Sequence, residues 1–419
     1  MAILGLPNEL IHSILECTED RDLLFLCRTN QRMHTLCLHW IYRTINLDDP
    51  AQVANCCKSV ILRPEIADAV RKLEFGLNSY PPGYDVREFD RTVKSAVHRM
   101  KNLHGLEVYS STIFRLFSDS QFPNLSQCGI PYCAEVIPFL KRHPTIVGLR
   151  VFPWYEGDES EEEEEEEEEE DIHEQGVAFE FTSLIQPIHM PRLEQFTGPA
   201  VVASAVASGS PMCDITIEWR NHDITGMSFS DVLSALSRTN TVVRQLRNIV
   251  CGLDNRLVSA IVEYMPQITD LIFENVMEDV EDEEKERFLS SIADALLHLP
   301  VLLAFSIRLH ASEVDMSLDA QFEALRKLGD YSSSLRVASF SRNMYWVGSS
   351  NVWVPYTLDS HTSEPIHNFT WFFIKVATTP ALPPIYAAFA ERLVGVDGML
   401  AVKSAIEKTG VVPDLLLPF

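Results

Sequence analysis

The residue types able to do chemistry are few in this chain, and their spacing does not favour most of it. Cys128, Cys133 and His143 offer two thiols and an imidazole, the donors of a zinc site. Such a site needs a fourth ligand and a closed geometry that this spacing does not announce. Cys128 also falls on an apolar repeat position, so the expected role is a buried structural thiol with no metal. H-E-x-x-H, G-x-G-x-x-G, G-x-x-x-x-G-K, G-x-S-x-G and S-x-x-K are all missing from the sequence. The familiar hydrolase, nucleotide and zinc-protease signatures therefore fail, and neither catalysis nor a cofactor is expected. What remains is the chemistry of recognition: an apolar stripe near residue 10 and a dense run of carboxylates.

The stripe comprises Leu6, Leu10, Ile11, Ile14 and Leu15, whose spacings of three and four put them on one side of a helix. Pro7 suits the first turn of that helix, where its missing N–H costs nothing, and Asn8 and Glu9 suit its positive end. Asp20 or Asp22 is placed to cap a second short helix carrying Leu23, Leu24, Leu26 and Cys27. A third, from about Asn30, aligns Met33, Leu36, Cys37 and Trp40 before Ile41 to Leu47 changes to strand-like alternation. Three short helices within residues 1–47 are marginal as an independent domain. From pattern alone they are either an N-terminal cap on a larger domain or a docking module.

Leu6-Pro-Asn-Glu-Leu10, Ile14-Leu15, Asp22-Leu-Leu24, Leu26-Cys-Arg28, Met33, Leu36 and Trp40-Ile-Tyr-Arg-Thr-Ile45 together resemble the F-box motif of fungal F-box proteins. The resemblance implies a docking surface for the Skp-type adaptor of a cullin-RING ubiquitin ligase. It implies Leu6, Pro7, Leu10, Ile14 and Leu15 as first-helix contacts or their supports. Leu23, Leu26, Met33, Leu36 and Trp40 would complete the apolar surface and its packing. Cys17-Thr18-Glu19-Asp20 departs from the Leu-rich end usual for the first helix, which implies weaker binding there.

From Val70 onward the pattern apolar-x-x-apolar-x-apolar recurs. The clear copies are Val70/Leu73/Phe75, Leu103/Leu106/Val108, Leu125/Cys128/Ile130, Ile146/Leu149/Val151, Ile268/Leu271/Phe273, Leu302/Phe305/Ile307 and Leu335/Ala338/Phe340. Weaker copies start at Leu193 and Val243, and Asp214 to Glu218 reads as a missing one. Helical faces lie between them, such as Phe89/Val93/Ala96/Val97/Met100, Leu257/Ala260/Ile261/Met265 and Phe288/Leu289/Ile292/Ala295/Leu296/Leu299. Pro123, Pro144, Pro191, Pro266 and Pro300 open the turns back to strand, because a helix does not propagate past a residue without the donor N–H. One strand and one helix cannot bury an apolar face alone, whereas stacked copies can. The expected fold class is α/β: a three-helix F-box module over 1–47, then a solenoid of parallel strands over 48–340 that resembles an irregular leucine-rich repeat. A single non-repeating α/β domain and two unrelated domains are the alternatives.

The net charge of −26 is concentrated, with thirteen acidic residues among the fourteen from Asp158 to Asp171 and a second acidic run from Glu278. Consecutive like charges repel and bury nothing, so residues 156–174 are expected to be a disordered loop, either merely solvated or a segment for a basic client. Acidity on this scale disfavours a phosphate backbone, so no nucleic acid is expected. Nine cysteines without framework spacing point to reduced thiols in cytoplasm or nucleus. No signal peptide or membrane span is expected either. Residues 341–419, with Trp346, Trp353 and the aromatic run from Phe369, are expected to cap the last repeat, the alternative being a peptide-binding aromatic cluster. The combined expectation is a noncatalytic substrate receptor of a Skp-cullin-F-box ligase with an unidentified protein client. The runner-up is a repeat-domain scaffold outside any ligase.

Overall fold

A computed structural model describes residues 5–76, 85–152, 187–219, 227–276, 282–308, 317–341, 344–349, 352–358, 365–367 and 369–409. The acidic run, Trp154 and Tyr155 lie outside the described residues. The chain divides into two compact units, Met1–Cys213 with Asn221–Met227 and Arg238–Thr241, and Asp214–Arg220 with Ser228–Ser237 and Val242–Phe419.

The first unit opens with helices α1 (Asn8–Glu16), α2 (Asp20–Leu26) and α3 (Gln31–Ile41). Pro7 stands one residue outside α1 in an extended conformation, and its carbonyl accepts the Ile11 N–H at 3.2 Å. It is thus the residue before the helix and not a member of the first turn. Neither Asp20 nor Asp22 caps α2: Glu19 holds the N-cap position with no side-chain bond, which puts both aspartates inside the helix. Asn30 does cap α3, accepting the Met33 N–H at 2.9 Å.

A parallel ladder follows: β1 (Thr44–Leu47), β2 (Lys72–Phe75), β3 (Gly105–Val108), β4 (Gln127–Pro131), β5 (Gly148–Phe152) and β6 (Gln195–Pro199), each paired with the next. Ile45, Leu73, Leu106, Cys128, Leu149 and Phe196 share one register position and all are buried. The ladder therefore begins a strand earlier than Val70. Tyr42/Ile45/Leu47 has the same triplet spacing, in the stretch that the N-terminal motif also claims.

The second unit repeats the design with β7 (Asp214–Glu218), β8 (Gln245–Val250), β9 (Asp270–Asn275), β10 (Ala304–Arg308) and β11 (Val337–Ser339), all parallel. Ile215, Leu246, Leu271, Phe305 and Ala338 form its buried column. The expected missing copy at Asp214 is real, with Met212, Ile215 and Ile217 as its triplet. The architecture is thus α/β, with N-terminal helices and then alternating parallel strand and helix units of a generic solenoid-like kind.

One turn sets the phase of both ladders. At Pro123, Pro144, Pro191, Pro266 and Pro300 the residue before the proline accepts a bond from the N–H two residues after it. The donors are Leu125, Ile146, Leu193, Ile268 and Leu302, at 3.1 to 3.3 Å. Proline presets φ for the second position of such a β-turn, and the donor is the buried first residue of each triplet. The helices then bury their apolar sides against the strands. Phe89, Val93, Ala96 and Val97 of helix Val86–Val97 are one such set, and Leu257, Val258, Ala260 and Ile261 of Asn255–Tyr264 another. Each large side chain so buried contributes about 1.5–3 kcal/mol.

The parallel order ends at β11. Strands β12 (Met344–Ser349), β13 (Val352–Leu358) and β14 (Pro365–His367) continue it antiparallel. Trp346 is fully buried beside Phe322 and Trp371, with its indole N–H donated to Gln321 Oε1 at 2.9 Å. Helices Phe369–Thr378 and Pro384–Thr409 follow, the latter broken at Gly395, where φ is 78°. Among the described residues no helix is long and apolar enough to cross a membrane.

Candidate functional site

The ten residues read from the N-terminal pattern divide into a core and a surface. Leu15, Leu23, Met33 and Leu36 are buried together with Ile11 and Cys37, and Leu6, Leu26 and Trp40 pack partly buried against them. Trp40 is held by an indole N–H bond to His12 Nδ1 at 3.0 Å, with the Arg43 guanidinium 4.6 Å from its ring centre. Arg32 of α3 donates to the Leu6 carbonyl at 2.6 Å and to Asn8 Oδ1 at 2.8 Å, tying the start of α1 to the bundle. Pro7, Leu10 and Ile14 face outward, with 51% of Leu10 and 41% of Ile14 exposed. Leu24 and Phe25 of α2 are 52% and 57% exposed, and the sequence reading did not single them out as contacts. Their signal is phase: they fall between Leu23 and Leu26, the two positions that turn inward.

A second surface lies on the solvent side of β2 to β6, a groove of about 230 Å³. Two rows of residues cross the strands there. One runs Lys72, Gly105, Gln127, Gly148, Gln195 and the other Glu74, Glu107, Gly129, Arg150, Thr197. The glycines let neighbouring side chains lie flat on the sheet. A Cβ at Gly105 would sit 3.1 Å from Lys72 Cγ, one at Gly148 would meet Gln127 Oε1, and one at Gly129 would lie between Glu107 Cγ (3.1 Å) and the Phe152 ring (3.2 Å).

Because Gly129 leaves this space, Tyr109, the residue after β3, and Phe152 of β5 stack with ring centres 4.5 Å apart. Glu107 is the hub. Tyr109 donates its hydroxyl to Oε1 at 2.9 Å, Lys72 approaches Oε2 at 3.7 Å, and Arg150 approaches Oε1 at 4.0 Å. Loss of solvent, then the bond to Glu107, pushes the Tyr109 phenol up to about 12. The triplet pattern records only the inward residues, so this face was missed. The residue between the last two apolar positions of each copy, aligned from copy to copy, spells out its second row.

Cys128, Cys133 and His143 form no metal site, and among the described residues no three such ligands come together. Burial pushes the Cys128 thiol up and the Cys133 thiol up to about 12, so both stay protonated. His143 uses both nitrogens internally: the Phe122 N–H donates to Nε2 at 3.0 Å, which makes Nδ1 the protonated nitrogen that donates to the Phe139 carbonyl at 2.8 Å. No cysteine among the described residues is in a disulfide. No protein-family model matches this chain, and no curated protein matches it.

Proposed function

We propose that this chain is a noncatalytic substrate receptor of a Skp-cullin-F-box type ubiquitin ligase, working in the cytoplasm, the nucleus or both. In this reading α1 and α2 dock on the Skp-type adaptor, and the strand ladders hold a protein client near the ubiquitin-loaded enzyme. The receptor's contribution to rate is proximity: it raises the effective concentration of client lysines and supplies no acid, base or nucleophile.

The observation that carries the reading is the exposure of Leu10, Ile14, Leu24 and Phe25 on a bundle whose other apolar residues form a closed core. Leu10 and Ile14 lie one turn apart on α1 and Leu24 and Phe25 are adjacent on α2, and large apolar side chains left to solvent on so small a bundle support an interaction surface. Leu10, Ile14 and Leu24 are also positions at which the sequence resembles an F-box.

Calorimetric titration with the adaptor tests it. Wild type is expected to bind, and Leu10→Asp with Ile14→Asp to weaken binding about a hundredfold or more, since about 3 kcal/mol is a modest cost for two unpaired charges in a desolvated contact. Circular dichroism checks that the double variant folds. No binding by wild type, or equal binding by a folded variant, rejects the adaptor site and leaves a repeat scaffold outside any ligase as the better reading.

A further inference from the structure

We propose that His12 is an acid-sensitive latch between α1 and α3: its neutral imidazole holds the Trp40 indole, and protonation releases the indole and loosens the helix that presents Leu10 and Ile14. The effect on docking rests on the receptor reading, whereas the latch is a property of the free chain.

An indole N–H only donates, so the 3.0 Å bond from Trp40 requires an unprotonated Nδ1 on His12. The neutral ring then carries its proton on Nε2. Protonation places an N–H at Nδ1 as well, and two donors face each other where one bond had been. Trp40 packs partly buried against the core of the bundle, so losing this acceptor strands the indole N–H or forces the ring to move. The bond holds α1 at its middle, while Arg32 ties its start through the Leu6 carbonyl and Asn8 Oδ1. Leu10 and Ile14, two residues before and after His12, point outward from that same turn.

The neighbours oppose a charge at this point. The His39 ring centre is 6.0 Å from that of His12, and the Arg43 guanidinium lies 4.6 Å from the centre of the Trp40 ring. Arg71, one residue before β2, belongs to the same cluster: burial, then Arg71, His12 and Arg43, holds the His39 imidazole below its usual range. A proton arriving on His12 therefore enters a cluster that already holds two guanidinium charges. On α1 itself Glu9 and Glu16 lie one turn before and one turn after His12, and both are exposed. Their carboxylates favour the protonated form, but through solvent, which screens them.

Tryptophan indole NMR on the full chain reads the latch directly, with Trp40→Phe assigning the signal. The expected result is one transition of the Trp40 indole proton between about pH 8 and 5, the interval in which imidazoles change charge, from a bonded to an unbonded position. His12→Gln offers a carbonyl acceptor at every pH, so its Trp40 signal should stay at the bonded position throughout. Arg43→Gln removes a neighbouring cation and should move the transition to higher pH by a few tenths of a unit. Glu9→Gln with Glu16→Gln should move it to lower pH.

No transition in wild type overturns the proposal, as does the same transition in folded His12→Gln. Should His12→Gln fail to fold, Arg43→Gln decides the matter, and a midpoint that stays in place or moves to lower pH overturns the latch. Adaptor titration at the two ends of the pH range reads the consequence. Wild type should lose roughly tenfold in affinity on acidification and His12→Gln less than about twofold, and an equal loss in both overturns the effect on docking. A Trp40 transition without adaptor binding at either pH sinks the ligase reading alone. Adaptor binding with an unmoved Trp40 signal sinks the latch alone.

Discussion

The ladders β1 to β6 and β7 to β11 share parallel register, proline turns and a buried apolar column, yet they show solvent different faces. In the first unit Gly105, Gly129 and Gly148 alternate with long polar residues, and the result is a groove with Lys72 and Arg150 outermost. No strand from β7 to β11 contains a glycine. Arg247 and Glu274 pair across β8 and β9 there. The polar anchors differ as well. The first ladder is pinned at the turn between helix Val136–Arg142 and β5 by His143. The second is pinned within β8 by Asn248, which is wholly buried and accepts the Trp219 indole N–H at 3.0 Å. The same repeat core thus tolerates different inserts, and the difference in exposed rows is where the two ladders become separate surfaces.

The most damaging test of this comparison removes an anchor. His143→Leu strands the Phe122 N–H and the Phe139 carbonyl in a buried site, at about 1–3 kcal/mol for each unsatisfied group. Thermal melting is expected to show a loss of roughly 3 kcal/mol, and a loss below about 1 kcal/mol would mean that the histidine pins nothing. Asn248→Leu should cost the second ladder somewhat less, about 2 kcal/mol, because the Trp219 indole N–H is the main donor stranded. Urea unfolding of the two variants side by side ranks the anchors.

A smaller effect concerns pH. Burial, aided by Arg142, holds the His143 imidazole below its usual range, against the opposing bond to the Phe139 carbonyl. The folded chain therefore resists protonation that the unfolded chain accepts at about pH 6.5. The contribution is fully present above that pH and is lost as pH falls from about 6.5 through the lowered folded value. Wild type should lose more stability than His143→Leu between pH 7 and 5, and parallel pH profiles would break the assignment.

The smallest expected effect is at the groove floor. Gly148→Ala meets only the flexible end of Gln127, so stability should change by less than about 1 kcal/mol. The same substitution raises the floor between the two cations. A large drop in melting temperature would instead make Gly148 a packing residue of the ladder.

The regularity of the ladders was legible because burial is written locally. A triplet with two inward residues on a strand and a third at the preceding turn repeats whatever the neighbouring copies are, and proline marks the turn in the same chain positions. Copies without the full pattern were harder to read. β6 lacks an apolar third position and has Gly198 there, whereas β8 has the buried Asn248. In the N-terminal bundle the apolar spacing marked Leu15, Leu23 and Met33 with Leu36 one helix at a time, and it placed Leu10 and Ile14 in the same stripe as Leu15. Which of the five first-helix residues turn outward depends on how α2 and α3 pack against α1.

Sequence alone determined the element types, the phase of the parallel strands and the lack of a familiar catalytic signature, since each depends on residues within a few positions of one another. Tertiary structure alone decided that Lys72, Gln127, Gln195 and Arg150 share a groove, that Tyr109 meets Phe152 over a glycine, and that His143 is an internal strut. Register partners on successive strands are 21 to 47 residues apart and become adjacent only when the strands stack. Hydrophobic burial selects that register through the inward side chains, and the outward rows are carried along with it.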